Sequence, residues 1–197
     1  MSTSLVHAEQ ADRAKPLFIE ADTMRHDDAN KITTATGNVV GTKGTILMRS
    51  DTLEVRQDAE GNQFTVAVGR QAFMRQKREG LNEFIEGQAN RIERDEKTQM
   101  VRLIGKAVMR RLAGDVLADE IRGETLEYNE ATEVYNAVGA GPSAAPSPDG
   151  IPGGRVRAMI GPRQGGGAAV PRGPAASGTK RPAMSLQPST QIGGKPQ

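Results

Sequence analysis

A β-hairpin phrase recurs along the first two-thirds of this chain and then stops. Turn-forming clusters occur at Asp28-Ala-Asn-Lys31, Asp58-Ala-Glu-Gly-Asn62, Asp95-Glu-Lys-Thr98 and Asn129-Glu-Ala-Thr132, with starts 30, 37 and 34 residues apart. Asp and Asn favour turns because their side chains bond to backbone amides just ahead of them. Each cluster leads into a β-rich run that ends near a glycine: Gly37, Gly69, Gly105 and Gly139. Two echoes keep the same order, Asp51-Thr-Leu-Glu54 with Glu124-Thr-Leu-Glu127, and Val66-Ala-Val-Gly69 with Asn136-Ala-Val-Gly139. A period of this size marks a stacked array whose units cannot bury their apolar faces alone. Such an array offers a long surface for binding more readily than a pocket for catalysis.

The runs between turns alternate apolar and polar residues, the period of a strand with one buried face. Phe64-Thr-Val-Ala-Val68, Glu83-Phe-Ile-Glu86, Met100-Val-Arg-Leu-Ile104 and Asp115 to Arg122 are the clearest. No window carries a helical period, and Gly44, Gly80, Gly87, Gly114 and Gly123 recur too often for long helices. The chain is therefore expected to be all-β, built from antiparallel hairpins. The expected inward face consists of Ile19, Val39, Ile46, Met48, Leu53, Phe64, Val66, Ile85, Ile92, Val101, Leu103, Val108, Leu117, Ile121, Leu126 and Val134. Between Met48 and Leu53 the parity of the pattern changes, and a slip of one residue would reverse every side chain there.

Composition divides the chain. Ten of its 11 prolines lie between Pro142 and Pro196, in a segment with one acid, Asp149, and no aromatic residue. So few apolar side chains cannot offset the entropy of ordering, and residues 140–197 read as a Pro/Gly-rich disordered tail. Residues 15–139 form the expected domain and residues 1–14 a frayed start. Val6-His-Ala8 has small side chains spaced as at a signal-peptidase site, without the basic and long apolar segments that precede one. It reads either as the remnant of an export signal or as an ordinary terminus. The net charge of +2 comes from the basic tail, and the domain itself is acidic.

Catalytic chemistry is thin. There is no cysteine, and the two histidines, His7 and His26, stand apart from any ligand set. Glu93, Asp95 and Glu96 read as solvated hairpin-tip residues, and nothing implies a cofactor or metal. The basic stretch Arg75-Gln-Lys-Arg78, with Arg70, Arg110 and Arg111 elsewhere, reads either as a solvated strand edge or as an anion site. Arg75, Lys77 and Arg78 are its candidate phosphate contacts. Nucleic acid is disfavoured as a partner because no aromatic residues interleave with these charges.

The phrases Pro16-Leu-Phe-Ile-Glu-Ala-Asp-Thr-Met24, Thr36-Gly-Asn-Val-Val40, Thr42-Lys-Gly-Thr45, Leu53-Glu-Val-Arg-Gln-Asp58, Phe73 to Gly80 and Glu86 to Glu93 carry a family resemblance. Over Lys15 to Gly139 the chain resembles the LptA/OstA-like family of lipopolysaccharide transport proteins. The resemblance implies an open, twisted β-jellyroll whose interior residues, the sixteen above, shelter lipid acyl chains. It further implies a non-enzymatic, periplasmic bridge assembled head to tail between inner-membrane and outer-membrane transport components, with lipopolysaccharide as cargo. The two ends of the roll are expected near Leu17 to Met24 and Glu133 to Val138. The competing expectation is a periplasmic scaffold that uses its sheet edges for partner proteins and keeps its interior as an ordinary core.

Overall fold

The computed structural model describes residues 12–78, 80–141 and 154–162. Ten antiparallel strands form one sheet: β1 (Leu17–Glu20), β2 (Thr23–Asp27), β3 (Ile32–Lys43), β4 (Ile46–Gln57), β5 (Gln63–Lys77), β6 (Glu83–Asp95), β7 (Met100–Ala113), β8 (Val116–Asn129), β9 (Val134–Val138) and β10 (Arg157–Ile160). From β3 to β8 each strand pairs with the next in sequence, as a hairpin meander requires.

The six long strands do not run straight. Their registers shift at Thr36/Val39, Arg49/Thr52, Val68/Ala72, Gln88/Arg91 and Ile104/Ala107, and these shifts lie side by side across the sheet. A bulge bends the strand that carries it. A line of bulges therefore folds the whole sheet along one ridge, into two leaves that face each other. One leaf holds β2, β9 and the halves near residues 32–36, 52–57, 63–68, 91–95, 100–104 and 125–129. The other holds β1, β10 and the remaining halves.

This ridge explains the repeated phrase. Gly37 and Gly105 sit on it with φ of 84° and 81°, in the left-handed region that glycine enters without a Cβ clash. Polar side chains from the neighbouring bend, between β1 and β2 or within the preceding long strand, fill the space beside these bends. Asp22 accepts from Asn38 Nδ2 at 3.0 Å, and Asp51 accepts from the Arg70 amide at 3.3 Å. A Cβ on Gly105 would lie 2.8 Å from Asn90 Nδ2. The recurring acid or amide and the recurring glycine are thus two sides of one bend. The four turn clusters all fall on the free rim of the first leaf, one for every two strands.

Within the segment read as disordered, Arg157–Ile160 forms β10 and pairs with Asp119 to Arg122 of β8. That reading is corrected for these residues. Backbone pairing to an exposed edge needs little apolar content from the added strand, so composition did not register it. Residues 142–153 and 163–197 of the tail lie outside the described residues. A chain ending at Pro162 is expected to melt within about a degree or two of the full chain, because the removed composition offers few core contacts. Ending it at Gly139 removes β10 as well and is expected to lower the melting temperature further. Thermal unfolding followed by circular dichroism checks both.

Candidate functional site: the interior between the leaves

On the first leaf, Ala35, Leu53, Ala67, Ile92, Leu103, Leu126 and Ala137 stand side by side on successive strands. On the second leaf the corresponding row is Ile19, Gly41, Met48, Met74, Gly87, Met109 and Ile121. These rows meet in one apolar cluster. A Cβ on Gly87 would approach Leu103 Cδ2 and Met74 Cγ to 2.9 Å, so glycine there lets the facing leaf come close. Three methionines in one row make an interior that can repack, because thioether chains are unbranched and flexible.

Of the sixteen expected inward residues, Val39, Ile46, Met48, Leu53, Ile85, Ile92, Val101, Leu103 and Leu126 are buried in this cluster, and Ile19 and Ile121 pack against it. Five do not belong to it. Phe64 and Val66 point outward, because pairing of Leu53 with Ala67 and of Val55 with Thr65 turns the small residues of β5 inward. Val66 is nevertheless covered, lying in register between Glu54 and Glu93, whose methylene stems shield it. Val108 lies outward between Gln88 and Arg122, since Ala107 and Met109 take the inner positions. A register shift at Arg111/Leu112 carries Leu117 outward, and Val134 is exposed because Tyr135 and Ala137 turn in. Met74, Met109 and Tyr128 were not anticipated, although a fixed parity on each side of every bend would have picked them out.

Away from the ridge the interior becomes polar. Lys43, on the second leaf, donates to Glu96 Oε1 at 2.7 Å and to Gln63 Oε1 at 3.0 Å on the first. Arg94 donates to Glu96 at 2.9 Å and, through Nε and Nη2, to both oxygens of Glu130 at 3.0 and 3.1 Å. All four charged side chains are buried, and their charges balance. Glu96, expected as a solvated turn residue, is therefore an inward one; it lies just past the end of β6, and Lys43 reaches it from the opposite leaf. Burial by itself would lower the Arg94 pKa, but the Glu130 and Glu96 carboxylates outweigh it and hold the guanidinium above its ordinary value. Burial would raise the Glu96 carboxyl, yet the Lys43 hydrogen bond and the Arg94 charge outweigh it and leave the pKa below the ordinary 4.5. Tyr135, stacked on Tyr128 with ring centroids 4.5 Å apart, is pushed up to about 12 by burial.

A carboxyl depressed in the folded state stabilises the fold above its unfolded pKa, and that contribution is lost as pH falls through the folded value. Acidification below the ordinary Glu value of 4.5 is therefore expected to weaken the contact between leaves. A Glu96→Gln variant should be less stable at neutral pH and show a shallower acid dependence in urea titrations.

The three candidate phosphate contacts are separated. Arg75 faces outward, paired with Glu86 at 3.0 Å and stacked 4.1 Å over the Phe84 ring. Lys77 is exposed at the rim, whereas Arg78 reaches both Glu83 and, across to the other leaf, Glu133. Arg111 turns inward to Asp119 and Glu83, while Arg110 joins an outer ladder with Glu120 and Gln88. Among the described residues no group of three or more His, Asp or Glu side chains could hold a metal ion.

Residues 18–134 match the family described as LptA/(LptD N-terminal domain) LPS transport protein. The chain belongs to that family. Over 78 residues it is 30% identical to the lipopolysaccharide export system protein LptH of Pseudomonas aeruginosa, a match spanning 39% of this chain and 45% of that relative's length. The crystal structure of LptH, described as the LptA homologous periplasmic component of the lipopolysaccharide transport device of that organism, superposes with a TM-score of 0.64 at 26% identity. The superposition covers 77% of this chain and 99% of the LptH chain. The folded double leaf, with its ridge of bulges, is thus the β-jellyroll of the LptA family.

Proposed function

We propose that this LptA-family domain is a non-enzymatic carrier of lipopolysaccharide in the periplasm. It holds the acyl chains between its leaves, and copies joined head to tail pass the lipid from inner-membrane to outer-membrane transport components. The observation that carries this reading is the polarity gradient of the interior. Aliphatic and methionine rows line the ridge side, while Lys43, Arg94, Glu96 and Glu130 lie toward the free rims. An amphiphile would place its chains along the first and its head toward the second, gaining about 0.8 kcal/mol per buried methylene. The strand ends support the assembly. β1 and β2 form one end and β9 and β10 the other, and Phe18 and Ile160 are 66% and 74% exposed there. Unpaired edges accept a partner's strand, and a contact between unlike ends need not close.

One observation favours the scaffold reading. The crevice between Leu17, Met48, Leu53, Lys43 and Arg94 measures only about 10 Å³, room for about one water. Photo-crosslinking residues at Met74 and Leu103 are expected to label lipopolysaccharide, and those at Val66 and Arg102 to leave it unlabelled. Phe18→Lys and Ile160→Lys should give folded monomers, since edge lysines discourage strand addition. Absence of lipid labelling at Met74 and Leu103, with partner binding kept, would favour the scaffold.

A further inference from the structure

The free rims of the two leaves meet along a seam, and among the described residues polar bridges cross it at three places. At the N-terminal end Asp12 accepts from Thr45 on one rim, while the adjacent Arg13 donates to Asn62 Oδ1 on the other at 3.3 Å. In the middle stands the buried Lys43–Glu96 pair. Toward the C-terminal end Arg78 joins Glu133. Between the leaves the crevice beside Lys43 is too small for an alkyl chain. At the β1–β2 end a recess of about 180 Å³ lies between Leu17, Ile19, Val55 and Gln63, but beside Lys43, Met48 and Leu53 the space narrows to about 10 Å³. A chain reaching the inner rows therefore needs the leaves to part; the ridge side is held by continuous backbone, whereas among the described residues the seam is held by side chains.

We propose that the seam is a clasp that opens sideways to admit a phosphorylated amphiphile, and that opening turns Lys43 and Arg78 from their protein carboxylates to the anionic head. This rests on the carrier reading. It goes further by naming the route of loading and the cations that receive the head. The charge balance makes the exchange feasible. When Lys43 leaves, Glu96 keeps Arg94 as a partner, and when Arg78 leaves, Glu83 keeps Arg111. No carboxylate on the first leaf's buried network or at Glu83 is then stranded without a cation. A phosphate arriving at the seam accepts the hydrogen bonds that Lys43 and Arg78 release.

The chain has no cysteine, so Asp115→Cys/Thr132→Cys places a unique thiol pair on the opposing rims and leaves Lys43 and Arg78 in place. Joined by a reducible bis-maleimide, this protein is expected to lose photo-capture of purified lipopolysaccharide at Leu103 and to regain it on reduction. Equal capture with the linker intact would overturn the sideways route. A protein that fails to capture even after reduction instead indicts the carrier reading. The clasp is then judged without cargo, from spin labels on the opposing rims at Asp115 and Thr132. In Lys43→Gln/Arg78→Gln these labels should sample longer separations than in the otherwise unaltered chain, and an unchanged distribution would overturn the clasp. The same double variant tests the head. The unaltered clasp should prefer a bis-phosphorylated lipid to its dephosphorylated form by about tenfold, the equivalent of one charge-assisted hydrogen bond. Excess inorganic phosphate should not compete. Lys43→Gln/Arg78→Gln should capture both lipids alike, and a retained preference would place the anion elsewhere.

Discussion

Replacing Glu130 with glutamine is expected to destabilise the domain by about 3–5 kcal/mol, the cost of breaking a buried ion pair from one side. The Arg94 side chain is 5% exposed, and both of its hydrogen bonds to Glu130 lie at 3.0–3.1 Å. Without that carboxylate, Lys43 and Arg94 would share the single negative charge of Glu96 in a site almost closed to solvent. Glu127→Gln supplies the comparison. It removes a carboxylate three residues earlier, near the end of β8, but one that faces outward to Arg102, whose side chain is about half exposed. Exposed pairs contribute about 0–1 kcal/mol, so that variant should stay close to the parent. Urea unfolding monitored by circular dichroism gives both values. Equal small losses would mean that Arg94 finds solvent after all.

Leu103→Ala is expected to cost about 2–5 kcal/mol, as for other leucines removed from close-packed cores. Leu103 is fully buried, lies between Ile92 and Leu126 on its own leaf, and faces Gly87 on the other. Val66→Ala should cost less, about 1 kcal/mol, because the methyl groups lost lie under glutamate stems on the outer face rather than between the leaves. The order of the two effects tests the assignment of faces. A larger loss at Val66 would mean that β5 is turned over. Chevron analysis would add where the effect falls, since a residue joining the two leaves need not act until they close.

Much of the architecture could be read from the chain. The turns act locally: Asp27, just ahead of the first cluster, and Asp58, Asp95 and Asn129 at the heads of the other three accept from amides within a few residues, so sequence marks these turns directly. Period-2 alternation likewise identified the buried Ile85, Ile92, Val101 and Leu103, because each sits on one side of a bend where parity holds. The phrases from Pro16 to Glu93 pointed to the family that residues 18–134 match.

Only the tertiary structure decided what happens across a bend and across the interior. In β5 the inner positions pass from Ala67 to Ala72 and Met74, a parity change made by a bulge, and the most apolar side of Phe64-Thr-Val-Ala-Val68 ends up outside. The reason is spatial. Leu53 and Ile92 fill the inner layer on either side, leaving room between them for alanine, while long charged stems can cover valine on the surface. The seam was equally beyond the sequence. Lys43 and Glu96 are 53 residues apart, and their bond exists only because the ridge folds one leaf onto the other. Local chemistry set the strands, the turns and the bends, whereas the face of each residue and the partner of each buried charge followed from closing the leaves together.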